Sequence, residues 1–98
     1  MASTKAAEPV SVPAGTLSRY VGTYDTLDDG DAHVVDVTVD STSLYLDYDG
    51  NGKELLIPVS PTRFSWAGSM VEFMAGDNEG MNVEMHYVEG TERGTRRK

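Results

Sequence analysis

"SLYLDYDGNGKELLIPVS", Ser43 to Ser60, is the stretch whose reading decides the fold. Its first half alternates, with Leu44, Leu46 and Tyr48 on one face and Tyr45 and Asp47 on the other. A period of two marks a strand with one buried face. "DGNG", at 49–52, then supplies Asp49-Gly50 and Asn51-Gly52, dipeptides favoured in the tight turns of β-hairpins. The second half resumes the alternation, read with Leu55, Ile57 and Val59 together on the apolar face. The same residues also begin like a calcium loop, because Asp47, Asp49, Asn51 and Gly52 take its positions 1, 3, 5 and 6. Position 12 of such a loop must carry a bidentate Glu. Here it is Pro58, and Glu54 stands where an apolar residue belongs. The stretch is a hairpin rather than a metal cage.

The same alternation runs outward in both directions. "HVVDVTVD" aligns Val35, Val37 and Val39, "TRFSW" aligns Phe64 and Trp66, and "MVEFMA" aligns Val71 and Phe73. "MNVEMHYV" aligns Met81, Val83, Met85 and Tyr87. Clusters of Gly, Asp, Asn, Ser and Pro separate the runs at hairpin spacing, and no segment shows sustained helical periodicity. From "RYVGTYDT" to "TERGTRR" there are eight candidate strands, each with one apolar face to bury. A meander that closes on itself buries those faces and removes its edges. The fold expected is therefore all-β, an eight-stranded antiparallel up-and-down barrel, with a flattened β-sandwich as the alternative. Pro58 is expected at an edge or a bulge. Gly22, in "VGTY", is expected to bend its strand at a barrel corner, with close approach of a neighbouring ring or backbone as the alternative.

The chain has 98 residues, room for one core. Residues 1–14 read as a mobile leader or linker rich in Ala, Ser, Pro and Thr, and 15–98 as the barrel domain. The leader lacks the apolar core of a signal peptide, and no apolar run approaches the ~20 residues that span a bilayer. There is no cysteine, hence no disulfide and no thiol nucleophile.

The net charge of −8 is unevenly spread. Between Gly15 and Gly90, Arg19, Lys53 and Arg63 face fourteen acids, whereas Arg93, Arg96, Arg97 and Lys98 crowd the end. An acidic body repels phosphate backbones, so neither nucleic acid nor membrane is expected as a partner. The basic tail is read first as a solvated terminus, with docking onto the acidic body or another subunit as the alternative.

Candidate chemistry is sparse. His86 alternates away from Val83, Met85 and Tyr87 and falls on the surface, while His33 opens its strand beside Asp31. A two-histidine metal site needs both on one face with a third ligand. No catalytic residue, metal site or cofactor is therefore expected. The interior or ligand-facing candidates are Tyr20, Tyr24, Tyr48, Phe64, Trp66, Phe73 and Tyr87. In a barrel of short strands such rings fill the interior, the alternative being a cavity for a small apolar ligand. Tyr45, Leu56 and Val34 are expected on the outside, as an apolar patch suited to docking or self-association.

Three segments carry a resemblance: "LSRYVGTY" (Leu17–Tyr24), "LYLDYDGNGKELLIPVSPTRF" (Leu44–Phe64) and "MVEFMAGDNEGMNVEMHY" (Met70–Tyr87). Leu17, Tyr20, Gly22, Tyr24, Ile57-Pro58, Thr62, Phe64, Val71, Phe73, Asp77 and Gly80 follow in order. The pattern resembles the small lipocalin-like domain on the C-terminal side of serine hydrolases of the penicillin-binding-protein and class C β-lactamase type. That domain is often carried as one of unknown function. The resemblance implies a noncatalytic accessory that caps or shapes a catalytic cleft, or mediates assembly. The catalytic Ser-x-x-Lys of those hydrolases lies in another domain, and this sequence contains none. The implied partner is a serine hydrolase catalytic domain, in cis or in trans, with a homo-oligomer as a further expectation. A small-molecule-binding module is the alternative. Compartment is left open.

Overall fold

The computed structural model describes residues 12–76 and 80–97. A one-turn helix, α1 (Ala14–Ser18), precedes β1 (Gly22–Asp28), β2 (Asp31–Asp40), β3 (Ser43–Tyr48) and β4 (Lys53–Pro58). β5 (Arg63–Trp66), β6 (Ser69–Ala75), β7 (Met81–Tyr87) and β8 (Gly90–Arg96) complete the chain. Each strand pairs antiparallel with the next, and β8 returns to β1 in register Tyr24↔Arg96 to Leu27↔Arg93. The barrel is thus closed, as the alternation implies, and the sandwich alternative is set aside.

Turn chemistry sets the register. Asp29-Gly30, Asp49-Gly50 and Ala67-Gly68 all have positive φ at both central residues, the geometry of a type I′ turn whose twist matches its strands. In the β3–β4 turn the Asp49 carboxylate accepts from Val34 N at 2.9 Å and lies 2.6 Å from His33 Nδ1. Asp47 accepts from Gly52 N at 3.3 Å. The carboxylates that suggested calcium are committed to the hairpin and its neighbouring strand.

Inward residues build one core. Tyr24, Val35, Val37, Leu44, Leu46, Leu56, Phe64, Val71, Phe73, Val83 and Met85 are all essentially inaccessible. At ~1.5–3 kcal/mol for each large apolar side chain buried, this cluster is the main stabilising term. The register corrects one strand. Leu55 and Ile57 are 47% and 41% exposed, and Val59 is exposed with them, whereas Leu56 is buried. Leu44 pairs with Leu56, and paired residues face the same side, so the inward phase of β4 is the opposite of the one expected. Three consecutive apolar residues, Leu55, Leu56 and Ile57, leave alternation unable to choose.

Other expectations shift in detail. Pro58 has no open edge in a closed ring; it lies in the shortest seam, β4–β5, which has only the pairs Ile57↔Ser65 and Pro58↔Phe64. Gly22 permits a close approach. A Cβ there would lie 2.5 Å from Arg96 Cδ, whose guanidinium Nη1 donates to Arg19 O at 2.6 Å and Val21 O at 3.3 Å. Of the basic tail, Arg93 and Arg96 lie in β8 and Arg97 follows it, and these three dock on the acidic body. Arg97 makes two hydrogen bonds to Asp25, at 2.8 and 2.7 Å, and Arg93 bonds Glu84 at 2.9 Å. Packing reaches back past residue 15, because α1 begins at Ala14 and Val12 belongs to the core. Residues 1–11, Asp77 and Lys98 lie outside the described residues.

Candidate functional site at the barrel ends

Up-and-down topology sends the loops to two ends. Helix α1 closes one, together with the β2–β3 and β4–β5 connections. There Leu17 and Tyr20 are buried, and the Tyr20 ring stacks on Phe73 with centroids 4.5 Å apart. Phe64 meets both rings edge-on, at 5.9 Å from Tyr20 and 5.7 Å from Phe73. The polar tips are satisfied by backbone: Tyr20 OH donates to Pro61 O and Tyr24 OH to Tyr20 O, each at 2.8 Å. Burial pushes the Tyr24 phenol up to about 12.

The opposite mouth is polar. β8 turns Glu92 inward, because its register partner on β7 is the inward Met85. The Glu92 carboxylate is fully buried. Thr26 Oγ1 donates to its Oε2. Tyr87 OH donates to Oε1 at 2.9 Å, and Tyr48 OH lies 2.8 and 2.9 Å from the two oxygens. A carboxylate only accepts, so three hydroxyl donors match it. Burial, and then the hydrogen bond to Glu92, raise both phenols above their ordinary value of 10.0. Trp66 stacks on Tyr48 at 5.8 Å and donates from Nε1 to Glu54 at 2.8 Å. Beside them, the hydrogen bond to Asp49 raises the pKa of His33.

Of the seven aromatic candidates, Tyr20, Tyr24, Phe64, Trp66 and Phe73 are buried in the core, while Tyr48 and Tyr87 pack against it partly buried and reach Glu92. Glu92 was not legible as an interior residue from hydrophobicity. The signal lay in register: a tight "VEG" turn pairs Tyr87 with Gly90, and hence Met85 with Glu92.

An apolar concavity opens at the helix-capped end, where core residues meet the rim. A groove of about 650 Å³ runs over the rim at the helix-capped end, lined by Val12, Leu17, Leu44, Leu55, Ile57 and Phe64 among others. On the adjoining wall Tyr45 pairs with Leu55, and Lys53 Nζ lies 5.0 Å from the Tyr45 ring. The outer apolar patch thus comprises Tyr45, Leu55 and Ile57; Leu56 belongs to the core, and Val34 is exposed two strands away.

The chain matches no family model, no curated protein and no solved structure. None of these comparisons links the chain to the hydrolase accessory domains whose motif residues were set out above. Of those residues, Leu17, Tyr20, Tyr24, Phe64, Val71 and Phe73 are core-packing groups.

Proposed function

We propose that this chain is a noncatalytic module that works by protein contact, docking through the groove beside Leu55 and Ile57. The observation that carries the reading is the contrast between a filled interior and an apolar groove open on the rim. A packed interior favours contact over carriage of an apolar ligand inside the barrel. Exposed Leu and Ile next to a concavity are the kind of surface a partner desolvates. The motif resemblance supplies the partner: the catalytic domain of a penicillin-binding-type serine hydrolase, in cis or in trans, which the chain caps or positions.

The test is a calorimetric titration of the chain into such a catalytic domain, repeated with Leu55→Asp/Ile57→Asp. Both side chains are outward, so the variant keeps its fold by circular dichroism. Binding should weaken at least tenfold, the loss of ~1.4 kcal/mol or more. Equal binding by the variant, or no heat with the parent chain at high micromolar concentration, overturns the proposal.

A further inference from the structure

We propose that Glu72, Glu84 and His86 form a binding site for one divalent transition-metal ion on the outer wall of β6 and β7. The site is independent of the proposed docking groove, which lies on the β3–β4 side.

Strand geometry brings the three together. Glu72 and Glu84 are directly paired across β6 and β7, and His86 follows Glu84 by two residues on the same outward face. Like charges directly opposite on adjacent strands are destabilising unless something sits between or beside them. Each carboxylate has one oxygen occupied. Arg63 Nε lies 3.4 Å from Glu72 Oε2, and Arg93 Nε lies 2.9 Å from Glu84 Oε2. The other oxygens, both Oε1, turn toward His86 Nε2, at 3.6 Å and 3.4 Å.

His86 Nε2 is the second observation. The atom itself is covered, although the His86 side chain is 37% exposed, and it has no hydrogen-bond partner among the described residues. Its distances to the two oxygens exceed the ~2.7–3.2 Å of an N–H···O bond. They match what a metal requires: donors ~2.0–2.1 Å from a tetrahedral zinc ion stand about 3.3–3.4 Å apart. All three donor atoms lie within 4.8 Å of one another.

The surroundings hold the ligands in place. Thr91 Oγ1 is 3.4 Å from His86 Nδ1. Arg63 and Arg93 aim the two carboxylates inward, and their charge moderates the affinity. One imidazole nitrogen with two carboxylate oxygens suits Zn²⁺, Ni²⁺ or Cu²⁺ better than Mg²⁺ or Ca²⁺. Three protein ligands leave a fourth position for water or an outside group.

Zinc chloride is the probe, titrated into the chain by calorimetry at pH 7.5 while the imidazole signals are followed by NMR. The expected result is one saturable site, with His86 shifted and His33 unmoved. His86→Ala, Glu72→Gln and Glu84→Gln should each lose at least tenfold in affinity, with tryptophan fluorescence confirming the fold. His33→Ala should bind as the parent does. The absence of a saturable signal up to millimolar zinc overturns the proposal. Binding that survives His86→Ala overturns it equally.

Discussion

The two ends of this barrel are closed by opposite means. At the helix-capped end, Leu17, Tyr20, Phe64 and Phe73 exclude water by shape, and the tyrosine tips bond to backbone carbonyls. At the other mouth a buried carboxylate gathers three hydroxyls from three different strands. Dispersion and hydrophobic burial are non-directional, so the capped end should tolerate rearrangement and lose stability in proportion to volume removed. A hydrogen-bonded network is directional, and a half-satisfied one is worse than none. The two ends should therefore answer mutation by different rules.

The largest effect is expected at the capped end. Phe73→Ala removes a ring that touches Tyr20, Tyr24 and Phe64 and should cost about 3–5 kcal/mol in urea unfolding. At the mouth, Glu92→Ala should cost about 1–3 kcal/mol, because Tyr48 and Tyr87 are half-buried and water reaches part of what is orphaned. The sharper comparison is to replace the mouth whole. Glu92→Leu together with Thr26→Val, Tyr48→Phe and Tyr87→Phe should return to within about 1 kcal/mol of the parent. Additive losses across those four substitutions would erase the distinction between the ends.

Alkaline pH probes the same network next. Tyr48 and Tyr87 have folded pKa values raised above 10.0 by burial and by Glu92, and burial raises Tyr24 also. Their stabilising contribution is complete below pH 10 and is lost as pH rises beyond it, since the unfolded tyrosines then release protons that the folded ones retain. Urea midpoints measured from pH 9 to 11.5 should fall, and Tyr48→Phe/Tyr87→Phe should flatten the slope. The smallest effect concerns the exposed pair at the rim. The His33 imidazole, raised by its hydrogen bond to Asp49, should titrate above 6.5 by NMR and shift down in Asp49→Asn. Its contribution is present below pH 6.5 and lost as pH rises through the folded value. Asp49, lowered first by its Val34 hydrogen bond, contributes above pH 3.8 and is lost as pH falls below that value.

What was legible in the sequence follows from what alternation can encode. β2, β3, β5, β6 and β7 place one apolar residue on every second position, so their buried faces were readable. β4 carries three apolar residues in a row, and only its pairing with β3 chooses among them. β8 was legible as a strand but not as a wall, because its inward side is Glu92, Gly94 and Arg96, and a Cβ at Gly94 would lie 2.6 Å from Asp25 O. A five-residue helix is too short to display a period. His86 was placed on the outer face correctly. Its neighbours Glu72 and Glu84 become visible only once the β6–β7 register is known, because 12 residues separate Glu72 from Glu84 in the chain.

The seam between β4 and β5 has a consequence for how the ring comes apart. Two paired positions there, against four or more at every other seam, make β4–β5 the weakest joint, and β1–β4 and β5–β8 are the halves that meet there and at the β8–β1 closure. Glu92 belongs to the second half, but Thr26 and Tyr48 belong to the first. The carboxylate therefore acts as a bolt across the closing joint, while the opposite joint is the hinge most readily unzipped. Amide protons of Ile57 and Ser65 should exchange before those of any other seam, through a partial opening that leaves both halves intact.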